Sequence, residues 1–143
     1  MLIGLDPLLG PDLLHALRAM GHGDDVVLAD ANFPAQSVAR RLIRSDDCDL
    51  PRLLAAVLKV LPIDQMEPAA VVGMEVVGNP AQREPVHTDI ERLLAARAQP
   101  HASLVLIERH AFYARARDAF AVVATGERRF YGNVILRKGT IEP

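Results

Sequence analysis

A single cysteine, Cys48, leaves no partner for a disulfide within the chain and no cysteine set for a zinc centre. Tryptophan is absent and tyrosine occurs twice, as Tyr113 and Tyr131, so there is little material for a ligand site built on aromatic stacking. Basic residues show no excess. Sixteen Lys and Arg stand against 18 Asp and Glu, a formal charge of -2, which argues against a nucleic-acid partner. No apolar run approaches the roughly 20 residues that span a bilayer. The N-terminus has no basic region followed by an apolar stretch and a small-residue cleavage site, so no secretion signal is expected. These absences describe a soluble protein of a reducing compartment, with the cytoplasm as the expected location.

What the chain does have is apolar residues. They make up 50% of its 143 positions, enough for one core, and residues 1–143 read as a single domain. Leu13, Leu14, Leu17 and Met20 recur at helical spacing, with Pro11 and Asp12 suited to the first turn and Gly21 to the end. Leu53, Leu54, Val57, Leu58 and Leu61 predict a second helix, capped by Asp49 and stopped by Pro62. Ile90, Leu93, Leu94 and Arg97 predict a third, and Tyr113 to Arg117 a short fourth. Strands are expected at Val26–Ala29, Ala69–Val77, Leu104–Ile107, Phe120–Ala124 and Val134–Leu136. Helices alternate with valine-rich strands, so the fold class is α/β: a compact domain with a mostly buried sheet flanked by helices.

Several segments carry groups suited to chemistry. In Met20-Gly21-His22-Gly23-Asp24-Asp25, two glycines flank a histidine between a helix and a strand, leaving its imidazole unobstructed. Histidine titrates near neutral pH and suits proton transfer; the plain alternative is a surface residue on a glycine turn. A metal set from His22, Asp24, Asp25 and Asp30 matches neither a zinc pair nor a calcium loop, and no metal or cofactor is expected. Asp30 ends a strand, where ligands dock in α/β proteins, or else caps the next turn. Asp64, between Pro62 and Pro68, admits the same two readings. Arg109 is expected to close a strand, with Tyr113 four residues on facing the same pocket if a helix begins there. Tyr131-Gly132-Asn133 offers a phenol, a permissive backbone and an amide able to hydrogen-bond sugar hydroxyls, or is an ordinary turn entering a strand.

Together these segments resemble the D-ribose pyranase and L-fucose mutarotase family. The resemblance is carried by "LLHALRAMGHGDDVVLADANFPAQS", "LPRLLAAVLKVLPID" and "FYARARDAFAVVATGERRFYGNVILRKGT", and runs from about Leu13 to Thr140. The "LADANFP" and "VVATGE…YGN" stretches are similar to the fucose branch rather than the ribose branch. The resemblance implies a cofactor-free epimerase acting at the anomeric carbon of a free monosaccharide, built as a ring-like homo-oligomer, often a decamer. On it, His22 is the proton donor and Tyr113 a further catalytic residue; Asp30, Asp64, Arg109, Tyr131 and Asn133 bind the sugar. The chain departs from the animal-type members between Pro80 and Glu91, where it has Pro85-Val86-His87-Thr88-Asp89-Ile90 instead of a segment with a tryptophan and a tyrosine.

Anomer interconversion needs only two proton movements, one from the anomeric hydroxyl and one to the ring oxygen. The expected assignment is His22 as the acid at the ring oxygen, with Tyr113 or water completing the relay. His22 precedes a strand that Asp30 ends, a run of roughly 20 Å at about 3.3 Å per residue. No single pyranose bridges that span, so either the strand is short and bent or neighbouring subunits complete each site, and the second is expected. A non-catalytic sugar-binding accessory protein and a ribose pyranase are the rival readings.

Overall fold

The computed structural model describes residues 1–97 and 102–143. In chain order the elements are α1 (Pro11–Ala19), β1 (Asp25–Ala29), α2 (Ala35–Val38), β2 (Leu42–Ser45), α3 (Leu50–Val57), β3 (Val71–Met74), α4 (Pro85–Ala96), β4 (Leu104–Ile107), α5 (Arg109–Asp118), β5 (Ala121–Thr125) and β6 (Val134–Arg137). Six strands form one sheet in the order β2-β5-β1-β6-β3-β4. The β1–β5, β2–β5 and β3–β4 pairs are parallel, while β6 runs antiparallel to both β1 and β3. One edge of the sheet therefore collects the carboxyl ends of β1 to β5 together with the amino end of β6.

Alternation along β1 sends Val26 and Leu28 into one apolar cluster and Val27 and Ala29 into another. The first cluster packs α1, α3 and α4 through Leu13, Leu17, Leu53, Leu54, Val86 and Ile90. The second packs α2 and α5 through Ala35, Val38, Phe112 and Ala116. The sheet is thus covered on both faces, which is why β1 and β5 read as unbroken apolar runs and are buried along their whole length. Among the described residues no helix is long and apolar enough to cross a membrane.

The α/β class and the five expected strands are present, with differences that have local causes. The third expected helix is α4, and it starts earlier, at Pro85. The strand expected from Ala69 to Val77 is trimmed to Val71–Met74. The short strand β2 and the one-turn α2 carry too little periodicity to read; burial along β2 is mixed, because it is an edge strand paired only with β5. The helix expected at Tyr113 begins four residues sooner, at Arg109, so Arg109 opens a helix and does not close a strand. Glu108 is its N-cap, accepting from the amides of His110 (2.8 Å) and Ala111 (3.2 Å). Only Phe112 and Ala116 of α5 are buried, so an apolar stripe does not betray its length. Asp49 caps α3 as expected, accepting from the Arg52 amide at 3.0 Å.

Candidate active site

Five of the seven expected site residues meet at the carboxyl edge of the sheet. Asp30 follows β1, Arg109 and Tyr113 lie one turn apart on α5, and Tyr131 and Asn133 precede β6. They line a cavity of about 360 Å³. Its remaining wall is largely apolar, from Phe33, Met74, Val77 and Phe130. Phe33 and Tyr113 stack with ring centroids 5.3 Å apart.

Asn133 fixes Asp30 from two sides. Its Oδ1 accepts from the Asp30 amide at 2.9 Å, and its Nδ2 donates to Asp30 Oδ2 at 2.9 Å. Asp30 Oδ1 accepts from the Asn32 amide at 2.8 Å. Burial nevertheless holds the Asp30 carboxyl above the usual range, and the charge of Glu127 adds to this against the hydrogen bonds from Asn32 and Asn133. The carboxylate is thus oriented before any ligand arrives.

The Tyr-Gly-Asn turn divides its labour differently from the expectation of a permissive glycine. Tyr131, not Gly132, adopts positive φ, at 62°. Gly132 serves close approach: a Cβ there would lie 2.6 Å from Glu127 Cγ and 3.1 Å from the Arg129 carbonyl oxygen. Tyr131 Oη accepts from the Val77 amide at 3.1 Å, so its own proton points elsewhere. Arg129 steadies the turn, donating through Nη2 to Glu127 at 2.9 Å and through Nη1 to Asp89 at 2.8 Å. This contact pulls the Glu127 carboxyl down to about 2, with burial opposing.

The Pro85–Ile90 segment lies behind this turn. His87 is fully buried, its ring 6.4 Å from that of Tyr131, and its Nδ1 accepts from the Glu84 amide at 3.1 Å. Burial pushes its pKa below the ordinary histidine range, outweighing Glu84, Glu91 and the nearby Met74 backbone, and among the described residues Nε2 meets no partner in good hydrogen-bond geometry. Sequence reasoning assigned no role to His87, Asp89, Glu127 or Arg129; His87 and Asp89 reach the Tyr131 turn by packing between segments far apart in the chain, whereas Glu127 and Arg129 lie within four residues of it.

His22 and Asp64 lie at the opposite edge of the sheet, before β1 and before β3. His22 Nε2 sits 3.1 Å from Asp64 Oδ1, and the imidazole is 44% exposed while Asp64 is only 3% exposed. Burial raises the Asp64 carboxyl, but the Met66 amide and His22 outweigh it and hold the group below the usual carboxylate range. This pairing was missed in the sequence, where the two residues stand 42 positions apart. Nearby, Asp25 is gripped by two guanidiniums, Arg115 at 2.7 Å and Arg137 at 3.0 Å. Between the two edges β1 alone imposes roughly 13 Å at about 3.3 Å per residue, so the chain does not bring His22 to its own Asp30 pocket.

An amphipathic cavity at the carboxyl edge, with a pre-oriented carboxylate, a guanidinium and two phenols, defines an α/β protein that holds a small polyhydroxylated ligand. The particular family follows from comparison: residues 3–141 match the model of the RbsD / FucU transport protein family, and the chain belongs to it. The chain is similar to a human fucose mutarotase, with 49% identity covering 96% of this chain and 93% of that protein. A crystal structure of the fucose mutarotase in complex with L-fucose from Streptococcus pneumoniae shares 36% identity at a TM-score of 0.85, covering 99% of this chain and 100% of that one. Bacillus subtilis RbsD complexed with D-ribose, at 22% identity and a TM-score of 0.75, shares the fold over 99% of this chain and 100% of its own.

Proposed function

We propose that this protein is an L-fucose mutarotase, an isomerase that interconverts the α and β anomers of the free sugar by acid–base ring opening and closure. The observation that carries the reading is an exposed imidazole, His22, held at Nε2 by the buried carboxylate of Asp64. With Nε2–H donating to Asp64, Nδ1 is left to exchange a proton with substrate. As the imidazolium, His22 delivers its Nδ1 proton to the ring oxygen while Tyr113, relaying its own proton to water, or a water it holds, takes one from the anomeric hydroxyl. The C1–O5 bond opens to the aldehyde, C1 rotates, and closure on either face returns both protons. Only protons and one C–O bond change, so the net reaction needs no redox partner and no group acceptor.

Asp30, Arg109, Tyr131 and Asn133 hold the sugar hydroxyls and keep the ring from tumbling during the open interval. Asp64 acts through the imidazole, a different part from the sugar-binding one that resemblance implied for it. Because the imidazole and the pocket occupy opposite edges of one chain, each working site combines the Asp30 pocket of one copy with His22 and Asp64 of its neighbour. Head-to-tail contacts of this kind close into a ring, here a decamer acting in the cytoplasm. Met74, Val77 and Phe130 give the pocket an apolar side that suits the methyl at C6 of a 6-deoxy sugar.

The test is NMR saturation transfer between anomers. His22→Ala is expected to lose about 10²- to 10⁴-fold of the catalysed exchange while still binding L-fucose. Exchange persisting at the wild-type rate would remove His22 from the mechanism. Binding without catalysis in the wild type would make the protein a sugar-binding accessory. Across aldoses the expected order places L-fucose ahead of L-galactose, which adds a hydroxyl at C6, and ahead of D-arabinose, which lacks C6. D-Ribose at the head of the series would favour a pyranase.

A further inference from the structure

We infer that Lys138 is the positioning residue that aims the His22 imidazole. The inference rests on the mutarotase reading of His22 but concerns a residue outside both edges of the site. His22 sits in a loop, Met20 to Asp24, that has reason to wander. Gly21 and Gly23 supply little steric restraint, and Gly23 is at φ +86°. The side chain of His22 touches Asp64 at its far end, so the direction of Nδ1 depends on how the loop backbone is held.

Lys138 holds that backbone on both sides of the histidine. Its ammonium donates to the carbonyls of Leu17 and Met20, each at 2.7 Å. Leu17 lies in the last turn of α1, where carbonyls lack intrahelical partners and carry the negative end of the helix dipole, and Met20 is the C-cap, so a cation is a fitting cap. After the histidine, the Lys138 carbonyl accepts from the Gly23 amide and its own amide donates to the Asp24 carbonyl, both at 2.9 Å. Residues on either side of Lys138 hold the other half of the pair. The Arg137 carbonyl accepts from the Asp64 amide at 3.0 Å, and the Gly139 amide donates to the Pro62 carbonyl at 2.8 Å. One short strap, residues 137–139, therefore sets the distance between the loop bearing the imidazole and the loop bearing its carboxylate. The ammonium matters most, because its two hydrogen bonds join the strap to the end of the helix from which the His22 loop emerges.

Lys138→Met keeps the aliphatic stem and removes the cation. It is expected to lower kcat for L-fucose anomer exchange by about 10- to 100-fold with KM nearly unchanged, since the pocket that holds the sugar lies at the other edge of the sheet. Lys138→Arg retains the charge but presents a planar fork to the two carbonyls, and is expected to recover part of kcat. Wild-type kcat in Lys138→Met overturns the inference. So does a parallel loss of kcat, sugar affinity and thermal stability that Lys138→Arg does not relieve, which marks a structural lysine. Should Lys138→Met fail to fold, Lys138→Gln, which keeps a donor but not the charge, decides: reduced kcat at unchanged KM supports the aiming role, and unchanged kcat overturns it. His22→Ala measured alongside separates the layers. Full activity there sinks the mutarotase reading itself, whereas an inactive His22→Ala beside a fully active Lys138→Met sinks only the role of Lys138.

Discussion

Asp30 and Asp64 are both nearly inaccessible carboxylates, 5% and 3% exposed, yet their surroundings move them in opposite directions. Asp30 lies where burial dominates and is raised; Asp64 receives a backbone amide and an imidazole and is lowered. Asp25, against its burial, is also lowered by Arg115 and Arg137, and Glu127 falls to about 2 beside Arg129. A carboxyl depressed on folding contributes stability that is present above its unfolded value, near 4, and lost as pH falls towards the folded one. Asp30 has the reverse sign, losing its contribution as pH rises through its folded value, but it is one group against three. His87, lowered by burial, has the same sign as those three, so the melting temperature is expected to begin falling below about pH 6.5 and to fall more steeply below about 4, where the lowered carboxyls add their loss. Glu127→Gln should cost about 1–2 kcal/mol at pH 7 and make the acid decline shallower, as read by thermal melts across pH. A variant whose decline matches the wild type would show that Glu127 carries none of it. Of these groups the sequence displays Asp30 and Asp64 as candidates and hides Asp25, because Arg115 and Arg137 lie in other elements; Glu127 meets Arg129 only two residues on, in a turn whose geometry the sequence does not display.

At the scale of elements, α5 decides whether the pocket has the guanidinium of Arg109 and the phenol of Tyr113. The helix is polar over most of its surface and is started by Glu108, whose side chain satisfies two free amides. Glu108→Ala is expected to cost about 1 kcal/mol of stability, typical of a lost cap, and to raise KM for L-fucose by letting Arg109 and Tyr113 fray together. Melting temperature and anomer-exchange kinetics check it; an unchanged KM would mean that Phe33 stacking alone secures Tyr113. The spacing of Arg109 and Tyr113 was readable as one helical turn, whereas the start of that turn was not. A cap followed by arginine and histidine looks, without its neighbours, like the end of β4.

For the whole molecule, the mixed sheet places His22 and the Asp30 pocket at opposite edges, so the proposed mechanism makes activity a property of assembled copies. Mixing inactive His22→Ala with inactive Asp30→Asn, after dissociation and reassembly, should restore a fraction of the exchange, because some junctions then pair an intact pocket with an intact imidazole. Recovery approaches about one quarter of wild type for random association of equal amounts at two-partner sites. No recovery, with mixed oligomers demonstrated, would place each site within one chain.

The sequence by itself determined the class of fold, because buried strands and amphipathic helices are written in local periodicity. It also singled out the side chains proposed to carry chemistry, because a histidine between glycines or a carboxylate after an apolar strand is visible within a few residues. Tertiary structure alone decided their partners. His22 meets Asp64 across 42 positions, and Asp30 meets Asn133 across 103. Strand order, not spacing, puts the first pair at one edge of the sheet and the second at the other. Local propensity extends over a turn or two of chain, and the pairing of distant segments is settled only when the sheet closes and both its faces are buried.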